Sequence, residues 1–240
     1  MKRRSAILAN RSSRLRNLFV NRGSSSILLI LISIAVTISG CINYRANYHQ
    51  PRFGIAAKDA KSITLNGEPV SIPVNAPSIS QGFNPAPVEK TPGDFHLDHP
   101  GIDIVGERGT PILAAADGTV LRSAFDPMFG NQVSIIHHQK SNGKTIKTNY
   151  YHLDQKSVIE GDRILMGDQI GGLGTTGVLA SFLHVHFEVR ENIDGQWKPL
   201  NPHFFWVDGI GRVTCFSEQA RAKSERNEQL TLSYPAKCKD

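Results

Sequence analysis

Between Ser78 and Pro202 the sequence breaks into short alternating apolar runs. "GIDIV", "PILAAA", "GTVLRSAF", "NQVSIIHH", "KTIKTNYYHL", "RILMG" and "LHVHFEV" follow one another, separated by turns rich in Gly and Pro. Alternation with a period of two marks a strand with one buried face, and no amphipathic stretch of helical period and ten or more residues interrupts the series. The interval therefore reads as an all-β domain of mainly antiparallel sheets, a sandwich or an open barrel. An apolar fraction of 40% over 240 residues is enough for one core of ordinary size.

The formal charge of +6 is unevenly placed. Lys2, Arg3, Arg4, Arg11, Arg14, Arg16 and Arg22 stand in residues 1–40 with no Asp or Glu, so the rest of the chain sums to −1. The basic balance belongs to this leader and points to no nucleic-acid partner. Behind the basic front, Ile27 to Ile38 is apolar except for Ser33 and Thr37. That run is short for a membrane-spanning helix of about 20 residues and fits the core of an export signal. The segment ends in "ISGC", which resembles the lipobox of bacterial lipoproteins. The resemblance implies that residues 1–40 are removed and that Cys41 carries a lipid anchoring the protein in the cell envelope. Ile42 after it implies the outer membrane, facing the periplasm; an uncleaved anchor or an ordinary signal peptide is the alternative.

Residues 41–79 read as an arm or linker, with "NGEP" turning between "ITL" and "VSI". After Pro202, Phe204, Phe205 and Trp206 are expected to pack on the domain edge, and residues 207–240 to form an extension with a short charged surface helix within 216–232. Cys215 and Cys238 are the remaining cysteines, and in an oxidising compartment they are expected to pair; two free thiols are the alternative.

In "SFLHVHFEVR", Leu183, Val185, Phe187 and Val189 point to one side of a strand while His184, His186, Glu188 and Arg190 point to the other. A second dense group, "HLDHPGID", offers His96, Asp98, His99 and Asp103. Pro100 and Gly101 place a turn after His99, and Ile102 and Ile104 face inward, leaving Asp103 on the opposite face. Imidazole and carboxylate are good zinc ligands, and a catalytic zinc usually has three of them, so His99, Asp103 and one histidine of the strand would complete a set.

"HPGIDIVGERGTPILAAADGTV", "NYYHL", "EGDRILMGDQIGGLGTTG" and "LHVHFEVR", in this order, resemble the lysostaphin/LytM-type zinc metallopeptidases, which cut peptide bonds in bacterial cell walls. The resemblance runs from roughly Ser80 to Pro202 and implies a peptidase domain over residues 80–206 with a groove-shaped active site. It implies one Zn²⁺ per chain on His99, Asp103 and His186, with His152 and His184 as catalytic imidazoles that do not bind the metal. It also implies peptidoglycan as substrate, at its cross-links or stem peptides. Metal-bound water is deprotonated near neutral pH, and the two imidazoles divide the roles of base and oxyanion partner in an order the sequence leaves open. A catalytically inactive, wall-binding activator of another hydrolase is the alternative; such a protein would be expected to lack some of these five residues.

Other residues carry weaker readings. Tyr150 or Tyr151 is either packing or an oxyanion donor, and His137 and His138 read as structural or surface residues. His96 and Asp98 compete as ligands on spacing alone, while His49 and His203 fit no constellation. Glu188 and Arg190 are expected to pair, or to meet solvent at the cleft rim, with support of a ligand histidine by Glu188 as the alternative. "GLGTTG" has dinucleotide-loop spacing, but such a loop needs a strand before it and a helix after it, early in a βαβ unit, whereas here a β-rich chain leads straight into the HVH strand. "HVHFE" also resembles the copper/zinc superoxide dismutases, but after His186 only His203 remains as a further ligand.

Overall fold

Strand alternation becomes a single broad sheet with one dry face and one polar face. The computed structural model describes residues 64, 65, 68–85, 98–138 and 143–240. The leader, Cys41, His49 and His96 lie outside the described residues, as does most of the 41–79 segment. Within that segment β1 (Thr64–Leu65) pairs antiparallel with β2 (Glu68–Pro69). There follow β3 (Ile79–Gln81), β4 (Ile102–Val105), β5 (Pro111–Leu113), β6 (Gly118–Asp126), β7 (Gly130–His138) and β8 (Thr145–Leu153). The series continues with β9 (Gln155–Lys156), β10 (Arg163–Ile164), β11 (Gln169–Gly172), β12 (His184–Ile193) and β13 (Gln196–Leu200).

The main sheet runs β10-β6-β7-β8-β12-β4-β3 with antiparallel pairing throughout, and it does not close into a barrel. Strand β12 is its hub. One edge of β12 bonds β8. The other edge is shared end to end: β4 lies opposite His184–Phe187 and β13 opposite Val189–Ile193. A smaller sheet, β5-β11-β9, completes the architecture.

The dry face of the main sheet carries Ile102, Ile104, Val120, Val133, Ile135, Ile146, Tyr150, Val185, Phe187 and Val189, all buried. Each large apolar side chain removed from water in this way contributes about 1.5–3 kcal/mol. The same core takes in Ile112 and Ile170 of the smaller sheet and, from beyond residue 206, Leu232, Tyr234 and Ala236. Trp206 is also buried there, edge-on to Tyr234, whereas Phe204 stays exposed. The Tyr234 hydroxyl donates to the Pro77 carbonyl at 2.8 Å, and Leu113 N donates to Pro235 O at 2.7 Å.

Helix α1 (Glu218–Arg226) is a surface helix that buries only Ala220. Ser217 caps it by accepting from Ala220 N at 3.1 Å, and Glu218 and Arg226 sit at the ends that favour their charges. Cys215 and Cys238 are joined, their Cα atoms 6.0 Å apart. Among the described residues no helix is long and apolar enough to cross a membrane.

Candidate metal and catalytic site

Register brings the first pair together. Asp103 on β4 lies directly opposite His186 on β12, on the polar face, while their neighbours Ile102, Ile104, Val185 and Phe187 fill the core on the other. His99 reaches the same spot through the tight turn at Pro100 and Gly101. A Cβ on Gly101 would stand 2.3 Å from the Phe187 carbonyl oxygen and 3.0 Å from His186 Nε2, so only glycine lets the turn sit this close to β12.

His99 is fixed by its backbone, which exchanges hydrogen bonds of 2.7 and 2.8 Å with Asn84, and by its ring, whose Nδ1 donates to the Gly82 carbonyl at 2.6 Å. That bond leaves Nε2 as the bare nitrogen, and it faces Asp103 Oδ1 at 3.0 Å. His186 presents Nδ1 to the same oxygen at 2.7 Å. All three donor atoms lie within 4.8 Å of one another. Two lone pairs facing each other at such a distance repel unless a proton or a metal cation lies between them. Donors around a tetrahedral ion with bonds of about 2.1 Å stand roughly 3.4 Å apart, so the set fits zinc in chemistry and in spacing.

Two further imidazoles border this cluster. His184 Nε2 is 3.7 Å from Asp103 Oδ1, and its Nδ1 donates to the Phe182 carbonyl at 2.9 Å while the Phe182 ring stacks on it. His152, at the end of β8, has its ring centroid 4.8 Å from that of His184. Its Nδ1 donates to the Thr176 carbonyl at 2.9 Å, so in both rings Nε2 is the unprotonated nitrogen. His152 adopts φ 63°, a left-handed backbone uncommon outside glycine and the kind of local strain found at functional sites. The clamp is Thr176, whose hydroxyl donates to Leu153 O at 2.7 Å and accepts from Asn131 N at 2.9 Å. The clamp closes because residue 130 is glycine, with φ 72° and space for a Cβ only 2.2 Å from Thr176 O.

Expected at the cleft rim, Glu188 is instead 2% exposed. It pairs with Arg190 as expected, through Nε at 2.7 Å and Nη2 at 2.9 Å, and accepts from Asn149 Nδ2 at 2.7 Å and Tyr151 Oη at 3.3 Å. These donors satisfy the carboxylate away from water, and its Oε1 faces His186 Nε2 at 3.5 Å. His186 thus stands between two carboxylates.

Electrostatics follow from this packing. Burial raises the Asp103 pKa, but the imidazoles of His186 and His99 beside it overcome that effect and hold the group well below the usual carboxylate range. Glu188, opposed by burial and favoured by Arg190 and His186, is lowered to about 2. Burial disfavours charge on His186, yet Asp103 and Glu188 raise it to about 9. His152 is lowered to about 4, by burial first and by His184 second, and burial lowers His184 as well.

The tyrosines separate by face. Tyr150 points into the core, where its hydroxyl accepts from Ala115 N at 2.9 Å and from Thr148 Oγ1 at 3.1 Å. Tyr151 shares the polar face, and its ring stacks on His186 with Phe129 tilted against it. His137 is buried away from the site, with Nδ1 on the Asp117 carbonyl at 2.7 Å and Nε2 against Thr148 Oγ1 at 2.9 Å, while His138 is exposed. His203 accepts from Trp206 Nε1 at 3.0 Å, outside the cluster. Asp98 is exposed and is not a member of it either.

Residues 97–202 match the profile of Peptidase family M23, and the chain therefore carries an M23 peptidase domain. Within that class, the peptidoglycan DD-endopeptidase ShyC of Vibrio cholerae is 37% identical over 120 residues, 50% of this chain and 26% of ShyC. A lipoprotein NlpD/LppB homologue of Pseudomonas aeruginosa is 34% identical over 102 residues, 42% of this chain and 31% of that protein. Both alignments thus span under a third of the relatives' own length. The catalytic domain of the antimicrobial peptidase lysostaphin from Staphylococcus simulans is 26% identical, with 52% of this chain and 89% of that one covered at a TM-score of 0.43.

Proposed function

We propose that the protein is a zinc-dependent endopeptidase that hydrolyses peptide bonds in peptidoglycan, at cross-links or stem peptides. The observation that carries the reading is the convergence of His99 Nε2, Asp103 Oδ1 and His186 Nδ1 within 4.8 Å, bordered by two imidazoles that keep Nε2 free. His99, Asp103 and His186 would hold the metal. Zinc there supplies Lewis acidity toward a peptide carbonyl and acidifies water at neutral pH.

The chain's own groups do the rest. Burial keeps His152 and His184 neutral at pH 7, and the Thr176 and Phe182 carbonyls fix the tautomer in which Nε2 accepts a proton. One ring takes the proton of the attacking water on its free Nε2 and, now an imidazolium, passes that proton to the leaving amine, while the other ring steadies the oxyanion only once its own Nε2 carries a proton. Glu188, immobilised by Arg190 and Asn149, keeps the His186 ring aimed at the metal position. The export leader and the cysteine of "ISGC" support placing this activity in the cell envelope, held at the outer membrane through Cys41 and facing the periplasm.

The purified chain, incubated with isolated sacculi, is expected to convert cross-linked fragments to shorter ones. A chelator, His186→Ala or His184→Ala should each abolish the conversion. An unchanged fragment profile from protein shown to hold stoichiometric zinc would overturn the enzymatic reading and leave a wall-binding role. Mass spectrometry of the membrane-extracted protein should show a lipid on Cys41 that Cys41→Ser removes.

A further inference from the structure

The open face of the main sheet has a second chemistry beyond the histidines. Register places Arg163, Thr119, Ile136, Lys147 and Arg190 in one row across five strands. Arg122 lies in the adjacent row, with Ser134, Asn149 and Glu188. Residues opposite one another share a face, so these four cations stand on the same surface as His184 and His186. Only Arg190 is neutralised, by Glu188. Among the described residues, Lys147, Arg122 and Arg163 make no ion pair. Lys147 is half-buried, its ammonium lying 4.4 Å from the centre of the Trp197 ring. Arg122 and Arg163 are exposed. Burial first, and then the cations of Arg190 and Arg122, lower the Lys147 pKa against the opposing charge of Glu188. Glu188 is the acid within these two rows and Arg190 holds it, so the remaining cations keep a positive field that an anion would relieve.

Building on the peptidase reading above, we infer that Lys147 and Arg122, with Arg163 at the rim, form a subsite for a free carboxylate of the peptide being cut. From His186 to Arg190 is four residues of strand, about 13 Å, and Lys147 stands beside Arg190. An extended substrate lying along this face would reach the subsite with a carboxylate about four residues from the scissile bond. The enzyme would then select acidic peptides over neutral ones by binding, leaving the bond-breaking groups untouched.

The test uses the full chain loaded with zinc and carrying His184→Ala, so that ligand persists. Two probes are compared calorimetrically: a cross-linked muropeptide dimer and the same dimer with its free carboxylates converted to carboxamides. Adding Lys147→Gln or Arg122→Gln is expected to weaken binding of the carboxylate dimer by about fivefold each at low salt, and to leave the carboxamide unchanged. The difference should shrink as salt shortens the screening length to about 8 Å. Equal affinity of the doubly substituted and unsubstituted proteins for the carboxylate dimer, or no binding of it by the unsubstituted protein, would overturn the inference. Turnover by the chain without these substitutions is read separately. Binding without cleavage would sink the peptidase reading and leave the carboxylate subsite standing.

Discussion

At the scale of single residues, the site is an exercise in assigning ring nitrogens. His99, His152 and His184 each give Nδ1–H to a backbone carbonyl, of Gly82, Thr176 and Phe182, and each thereby exposes Nε2. His186 alone has a carboxylate on either side. Glu188→Gln removes the charge behind His186 while keeping the shape, and is expected to lower zinc affinity by about 10- to 100-fold, as loss of such supporting groups does elsewhere. Competition with a chromophoric chelator measures it, and unchanged affinity would reduce Glu188 to a packing role. His152→Ala is expected to cut kcat by about 10²–10⁴-fold with zinc content unchanged, because in the proposed mechanism the ring touches the reaction and not the metal. Loss of zinc along with activity would contradict that division of labour. The five side chains were legible in the sequence through their motifs. Their carbonyl partners were not, because Gly82 and Thr176 are main-chain acceptors 17 and 24 residues away, and any residue type offers a carbonyl.

Among the elements, β4 and β12 matter most, since one antiparallel register sets Asp103 against His186. A strand's two faces follow from its period, which is why alternation in "GIDIV" and "HVHFEV" identified the polar face before any contact was known. Partner choice does not follow from period. Nothing in the alternation tells that β12 divides one edge between β4 and β13, or that Glu188 lies where β8 covers it from solvent. The turn between His99 and β4 is the element's weak point. Gly101→Ala forces a methyl group against the Phe187 carbonyl, a rigid main-chain atom, and is expected to destabilise the fold by about 1–3 kcal/mol. Zinc affinity should fall with it, since the same turn carries His99. A urea titration beside the zinc competition would show both losses; wild-type values in both would mean that the turn relaxes freely.

For the molecule as a whole, two buried histidines outside the site add to its acid sensitivity. Burial lowers His137 and His203 each to about 4. Unfolded imidazoles take up protons as pH falls through about 6.5, and these two do not until about 4. Their contribution is complete above pH 6.5 and declines between pH 6.5 and 4, by up to about 1.4 kcal/mol per pH unit for each ring. His137→Gln should flatten the stability–pH profile of metal-free protein across that window, as read by urea midpoints. The Cys215–Cys238 bond closes a loop of 23 residues, and its reduction is expected to cost about 3 kcal/mol and lower Tm accordingly. An unshifted Tm in reductant would mean that the tail holds by packing alone.

The hydrogen bond from Tyr234 to Pro77 spans 157 residues of sequence, and Leu232 and Ala236 enter the same core from the same late segment. Contacts so far apart along the chain make for slow folding. During vectorial synthesis the first apolar residues must wait on the ribosome for partners not yet made, so the nascent chain passes a long interval open to whatever machinery meets it first.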